Sequence, residues 1–243
     1  MLSNPSMIVP ECIVLLGSSL ERDIISGTYE SAEISVARKV FGSGDVVLDI
    51  GSGVGVTAFS LLNAGVGYVY CYEANSKLVA FSRLLLEANG CEACSVVNAA
   101  IVPRKLTPNV DFFIRDPLMT SSLDGSIGEY VARETVPACL LDEVILKSGA
   151  NAILCDIEGA EAEVLAGANL VGIKKIVVEL HVHKSGVEAV ISMFRRLTDL
   201  CFVYDQWYSS GRVLAFRHSS IYFDDYFSAV GESRRPQRLQ ART

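Results

Sequence analysis

The chain has 243 residues, half of them apolar and a fifth charged. That balance fits one globular domain built on a buried sheet and excludes collagen-like, coiled-coil and disordered classes. Twenty-one Lys and Arg against twenty-eight Asp and Glu give a net charge of -7, which removes any general attraction to nucleic-acid backbones or anionic lipid. Glu11 interrupts the apolar start, no Lys or Arg precedes Arg22, and no apolar run reaches the length of a membrane span. A cytoplasmic protein with no nucleic-acid or membrane partner is expected. Seven scattered cysteines suit reduced core thiols, and Cys91 and Cys94 form a single CxxC with no matching pair, so a zinc or redox role there is not favoured.

Short β-rich runs alternate with amphipathic helical patterns, the signature of βαβ units on a parallel sheet. After an N-terminal helical segment (1–44), Val46 to Ile50 predicts a buried strand ending at a glycine loop, followed by a helix carrying Val54, Ala58, Leu61 and Leu62. Tyr68 to Tyr72 predicts a second strand. Asn75 can cap the next helix, with its stripe of Leu78, Phe81, Leu85 and Leu86, which Asn89 and Gly90 end. Ser95 to Ala100 reads as a third strand. Residues 103–137 are turn-rich and predict a hairpin-like insertion near the site, with short strands at Val110 to Ile114 and Tyr130 to Thr135. A helix from Ala138 to Lys147, a strand from Ala152 to Asp156, a helix from Ala160 to Ala168 and a strand from Lys175 to His181 follow. A helix with Val187, Val190, Ile191 and Phe194 leads to a final antiparallel pair, Leu200 to Asp205 and Arg212 to Phe216. The expected fold is α/β: a doubly wound, mostly parallel seven-stranded sheet with helices on both faces, formed by a single domain over 1–220. The basic tail, 221–243, is expected to be partly disordered. Ile221-Tyr222-Phe223 and Tyr226-Phe227 either cover a sheet edge, the default, or join a subunit contact such as a homodimer's.

The chemistry concentrates at Asp49-Ile50-Gly51-Ser52-Gly53-Val54-Gly55. Strand, glycines and helix in that order bring backbone N–H groups and main chain close to a ligand. The spacing Gly51-x-Gly53-x-Gly55, with Asp49 at the strand end, departs from the GxGxxG that serves a pyrophosphate. A carboxylate there suits a cationic cofactor instead, and S-adenosylmethionine presents an ammonium and a sulfonium. Glu73, at the end of the second strand beside Ala74, is placed to accept bonds from ribose hydroxyls, and Asn98, Ala99 and Ala100 to frame an adenine. Asp156-Ile157-Glu158-Gly159-Ala160-Glu161 closes a later strand on the same side of the sheet. Asp156 is a candidate base or ammonium partner, and Glu158 a candidate acceptor contact. Glu161 is explained by the dipole of the helix it opens. Glu179 and His181, two apart on the predicted fifth strand, share a face, and His181 is a second candidate base. A divalent metal held by Asp156 with Glu179 or His181 is a further option, not the favoured one.

These residues resemble the FkbM-type family of class I S-adenosylmethionine-dependent methyltransferases, whose fold is Rossmann-like. The resemblance runs from Gly27-Thr28-Tyr29-Glu30 through the glycine loop and Leu141-Asp142-Glu143 to Asp156-Ile157-Glu158-Gly159-Ala160-Glu161-Ala162-Glu163-Val164-Leu165 and Glu179-Leu180-His181. It implies methyl transfer to a hydroxyl oxygen of a small molecule, a natural product or a sugar, leaving S-adenosylhomocysteine. It also suggests that Tyr29 and Glu30 close over the cofactor. Many members carry Ala-Asn after the first motif glycine; here Ser52-Gly53 stands there. Two rival readings remain at this stage, a nicotinamide-dependent oxidoreductase and a non-catalytic protein that keeps a cofactor pocket for regulation.

Overall fold

The computed structural model describes residues 7–126 and 128–221. Its elements are α1 (Ser18–Ser26), α2 (Ser31–Val40), β1 (Val46–Ile50), α3 (Val56–Asn63), β2 (Tyr68–Glu73), α4 (Ser76–Ala88), β3 (Cys94–Asn98), β4 (Ala100–Val102), β5 (Asn109–Ile114), β6 (Ala132–Leu140), α5 (Leu141–Ser148), β7 (Ala152–Cys155), α6 (Glu161–Gly167), β8 (Lys175–Glu179), α7 (Val182–Ser185), α8 (Val187–Asp199), β9 (Phe202–Tyr204) and β10 (Val213–His218). Seven strands form one sheet in the order β3-β2-β1-β7-β8-β10-β9. β1, β2, β3, β7 and β8 are parallel, and β10 runs antiparallel to both β8 and β9. The fold is Rossmann-like, and the order reverses between β1 and β7, where open α/β sheets leave a crevice.

Both faces of the central strands are buried, which is why they read as continuous apolar runs. Val47, Val69 and Leu154 pack on one face with α2, α3 and α4, and Leu48, Ile153 and Ile176 on the other with α5, α6 and α8. Among the described residues no helix is long and apolar enough to cross a membrane. Asn75 caps α4 as expected, its side chain accepting from the Lys77 N–H at 3.0 Å. Asn75→Ala should cost about 1 kcal/mol in urea unfolding, the usual effect of removing a cap.

The structure corrects the sequence reading in three places. The third strand stops at Asn98, whose Nδ2 donates to the carbonyls of Glu73 and Ala74, and the chain then leaves the main sheet. Ala100–Val102 pairs parallel with Ala138–Leu140, residues expected to begin a helix, and β5 pairs antiparallel with β6. The expected hairpin is therefore part of a separate three-stranded sheet, β4-β6-β5. The fifth strand stops at Glu179: carbonyl oxygen of His181 accepts from Lys184 and Ser185, turning the chain into α7. The aromatic residues placed at a sheet edge or subunit contact, Tyr222 onward, and the tail lie outside the described residues.

Candidate active site

The carboxyl ends of β1, β2 and β7 meet at the order reversal. Gly51, Ser52, Gly53 and Gly55 were expected to present N–H groups to a ligand, but those groups are spent within the protein. Gly51 and Ser52 donate to the carbonyl of Tyr72 at 2.8 and 3.2 Å, Gly53 to Glu73 Oε2 at 2.9 Å and Gly55 to the carbonyl of Ser52 at 3.0 Å. Gly51 has φ +82, and an added Cβ would stand 2.8 Å from the carbonyl carbon of Asp156 and closer still to its oxygen. Bare main chain at Gly51 thus serves the approach of β1 to the loop after β7. At Gly53 a Cβ would meet Tyr29 Oη at 2.5 Å and Met119 Cε at 3.3 Å. Tyr29 and Met119, 90 residues apart, touch across the glycine loop, Oη to Sδ 3.6 Å.

What the loop offers a ligand is a cluster of acids, whose ionised forms a nearby cation would favour. Asp49 and Glu73 are buried at 3% and 7% exposure. Burial, then the charges of Glu30 and Glu73, push the Asp49 carboxyl well above its usual range. Burial also raises Glu73, against the N–H groups of Asn75, Gly53 and Ala74 that favour its ionised form. Glu30 bonds the Thr57 hydroxyl and Tyr29; burial raises it to about 7, with the charges of Glu33 and Glu73 adding to the rise. Asp156 is raised well above its usual range by burial, then by Glu30, Glu179, Glu158 and Glu161.

A cavity of about 60 Å³ follows these ends, lined by Gly51, Glu73, Ala74, Ala99, Ala100, Asp156 and Glu158 and walled by Phe112, Leu118, Met119, Ser121 and Leu123 of the insertion. Among the described residues no Lys, Arg or His lines it. Small-molecule sites hold roughly 300 to 1,000 Å³, so a nucleoside needs the wall side chains, Leu118 and Met119 among them, to give way.

Beyond Asp156 the chain adopts φ +59 at Glu158, which pairs with Lys184. Glu161 does open α6, but a dipole contact on the surface does not describe it. It is fully buried, and its Oε1 accepts from the N–H of Ile157 and Gly159 and faces His181 Nδ1 at 2.9 Å. His181 reaches the site through the turn after β8 rather than on a strand face, with Nε2 3.5 Å from Glu158. Burial opposes its charge, but the bond to Glu161 and the charges of Glu158, Glu161 and Glu179 outweigh it, so its pKa lies above the usual value. Glu179 pairs with Arg212 at 2.7 Å and is hydrogen-bonded to Glu33, whose carboxyl burial pushes up. Sequence reasoning missed Glu33, Thr57, Met119 and Lys184, which reach the site from other elements with no local motif to mark them.

The fold and these strand ends define a narrow crevice bordered by acids in a Rossmann-like domain. The chain matches no known family model. It is similar to a probable histone-arginine methyltransferase of Arabidopsis thaliana, 32% identical over 103 residues that span 42% of this chain and 19% of that protein. It is equally similar to the histone-arginine methyltransferase CARMER of Drosophila erecta, 32% over 94 residues, 38% of this chain and 17% of that one. The match thus spans about a fifth of the length of these curated relatives. Among solved structures, a methyltransferase FkbM from Methylobacillus flagellatus KT aligns over 73% of this chain and 44% of that one at 15% identity, with a TM-score of 0.48. Magnesium protoporphyrin IX methyltransferase from Synechocystis PCC 6803 aligns over 82% and 83% at 14% identity, with a TM-score of 0.45.

Proposed function

We propose that residues 1–220 form one S-adenosylmethionine-dependent methyltransferase domain of the FkbM type, which moves a methyl group to a hydroxyl oxygen of a small molecule. The observation that carries this reading is the polarity of the crevice: loop N–H groups already bonded internally, and carboxylates of Glu30, Asp49, Glu73 and Asp156 around them. A pyrophosphate needs free N–H donors at such a loop, so a nicotinamide dinucleotide is poorly served. A cation is well served. S-adenosylmethionine, when bound, supplies a methyl group already activated by its sulfonium.

In this reading the loop of Gly51, Ser52, Gly53 and Gly55 borders the cofactor, and Asp49 and Asp156 face its positive groups. Glu73 uses its remaining acceptor capacity on the ribose hydroxyls, since a carboxylate offers about four acceptor sites and the N–H groups of Gly53, Asn75 and Ala74 take three. Ala74, Asn98, Ala99 and Ala100 frame the adenine, and Tyr29 and Glu30 cover it. Glu158 and Glu179 orient the acceptor, whose proton leaves at the Asp156 and His181 end. Positioning supplies much of the rate for such an in-line displacement.

Calorimetric titration of the full chain with S-adenosylhomocysteine and, separately, with NADH tests the reading. Homocysteine-nucleoside binding without NADH binding is expected, followed by transfer of labelled methyl to hydroxyl acceptors rather than arginine peptides. NADH binding alone would overturn it, and binding with no transfer to any acceptor would favour a regulatory protein. The titration should also depend on pH. Glu30, at about 7, is roughly one-tenth ionised at pH 6 and nine-tenths at pH 8. With S-adenosylmethionine as the titrant, whose sulfonium S-adenosylhomocysteine lacks, affinity should therefore tighten by up to about tenfold over that span, and Glu30→Gln should flatten the dependence. Without ligand the sign reverses: the folded-state value lies above the unfolded one of 4.5, so stability falls as pH rises from 4.5 through about 7.

A further inference from the structure

Asp156, Glu179 and His181 each bring one potential ligand atom to within 4.8 Å of the others. Two further facts concern buried oxygens in or beside this group. Asp156 Oδ1 is sealed from solvent without a hydrogen-bond partner, and it lies 3.8 Å from His181 Nδ1. Glu161 is fully buried, and while its Oε1 bonds His181 Nδ1, its Oε2 has no partner either. Two buried carboxylate oxygens facing no donor are costly, and such atoms commonly mark an ion. Of the nearby cations, Lys184 pairs with Glu158, and Arg212 pairs with Glu179 through Oε1 at 2.7 Å, so a metal at Glu179 would share that carboxylate with Arg212.

We propose that Asp156, Glu179 and His181 bind one divalent cation, Mn2+ or Mg2+, with Glu161 orienting the imidazole. Carboxylate oxygens favour these ions, and one imidazole nitrogen is well tolerated by Mn2+. A ligating His usually donates its second ring N–H to a carboxylate, the part that Glu161 fills at Nδ1, leaving the Nε2 lone pair for the metal. Binding stands apart from the cofactor reading; its use rests on that reading. There the three residues present the ion to the acceptor's oxygen, whose proton passes to water as the oxygen takes the methyl and the sulfur keeps the bonding pair.

Mn2+ titrated into the full chain, without cofactor, and followed by electron paramagnetic resonance tests the site. One saturable Mn2+ per chain is expected, displaced by Mg2+ and showing nitrogen coupling in pulsed spectra that disappears in His181→Gln. Asp156→Asn and Glu179→Gln should each weaken binding by roughly tenfold or more, and Glu161→Gln by about tenfold. No saturable binding, or bound Mn2+ without nitrogen coupling in the unaltered chain, overturns the proposal even if the variants do not fold. S-adenosylhomocysteine binding by a chain that takes no Mn2+ would leave the methyltransferase reading intact, and Mn2+ binding without it would sink only that reading.

Discussion

Gly51→Ala should unfold in urea about 2 kcal/mol more easily than Gly65→Ala. Both glycines have positive φ, +82 and +92, so both alanines carry the same backbone strain, roughly 1 to 3 kcal/mol. They differ in surroundings. Nothing lies within 4 Å of a Cβ at Gly65, whereas at Gly51 the Cβ collides with the Asp156 carbonyl, a piece of main chain that cannot rotate away. Overpacking of that kind costs a further 1 to 3 kcal/mol or so. Equal midpoints for the two variants would show that the loop after β7 yields freely, and the close approach of the two strand ends would lose its significance. Loss of S-adenosylhomocysteine binding in Gly51→Ala is expected alongside, because the alanine shifts the Asp156 backbone.

Glu73→Gln should weaken S-adenosylhomocysteine binding by about 1.5 to 3 kcal/mol, or roughly ten- to a hundredfold. The carboxylate accepts from Gly53 at 2.9 Å through one oxygen and from Asn75 at 2.7 Å through the other. A glutamine turns one of those acceptors into an NH2 group facing an N–H, leaving a buried donor unpaired at about 1 to 3 kcal/mol. The variant should therefore lose stability as well as affinity. Calorimetry and urea unfolding on the same sample separate the two. A chain that is destabilised yet binds with unchanged affinity would make Glu73 a tether for the glycine loop and nothing more.

The main sheet was readable because its strands are short, apolar and bounded by glycine or polar residues; Val46–Ile50 is found with the bounds its sequence predicts. Ala138–Leu140 was misread because a three-residue apolar run before a helix carries no period of its own. Its strand identity comes from pairing with Ala100–Val102, nearly forty residues earlier. At the site, Asp49, Glu73 and Asp156 were legible as acids at strand ends on one side of a parallel sheet. Glu161 was not. An acid in the first turn of a helix looks the same in sequence whether it faces water or, as here, is enclosed and holds two loop amides and a histidine. Tyr29 was flagged by resemblance, but its partner Met119 lies in a segment whose path only the three-stranded sheet determines.

That second sheet divides the labour of the crevice. Acids come from β1, β2 and β7, fixed by the core, while Phe112, Leu118, Met119 and Leu123 come from a hairpin joined to it mainly along β4 and β6. Replacements in the hairpin can reshape the wall without moving the acids. A lineage built on this plan is free to recast the outline of that wall while the carboxyls opposite it keep the positions the core gives them.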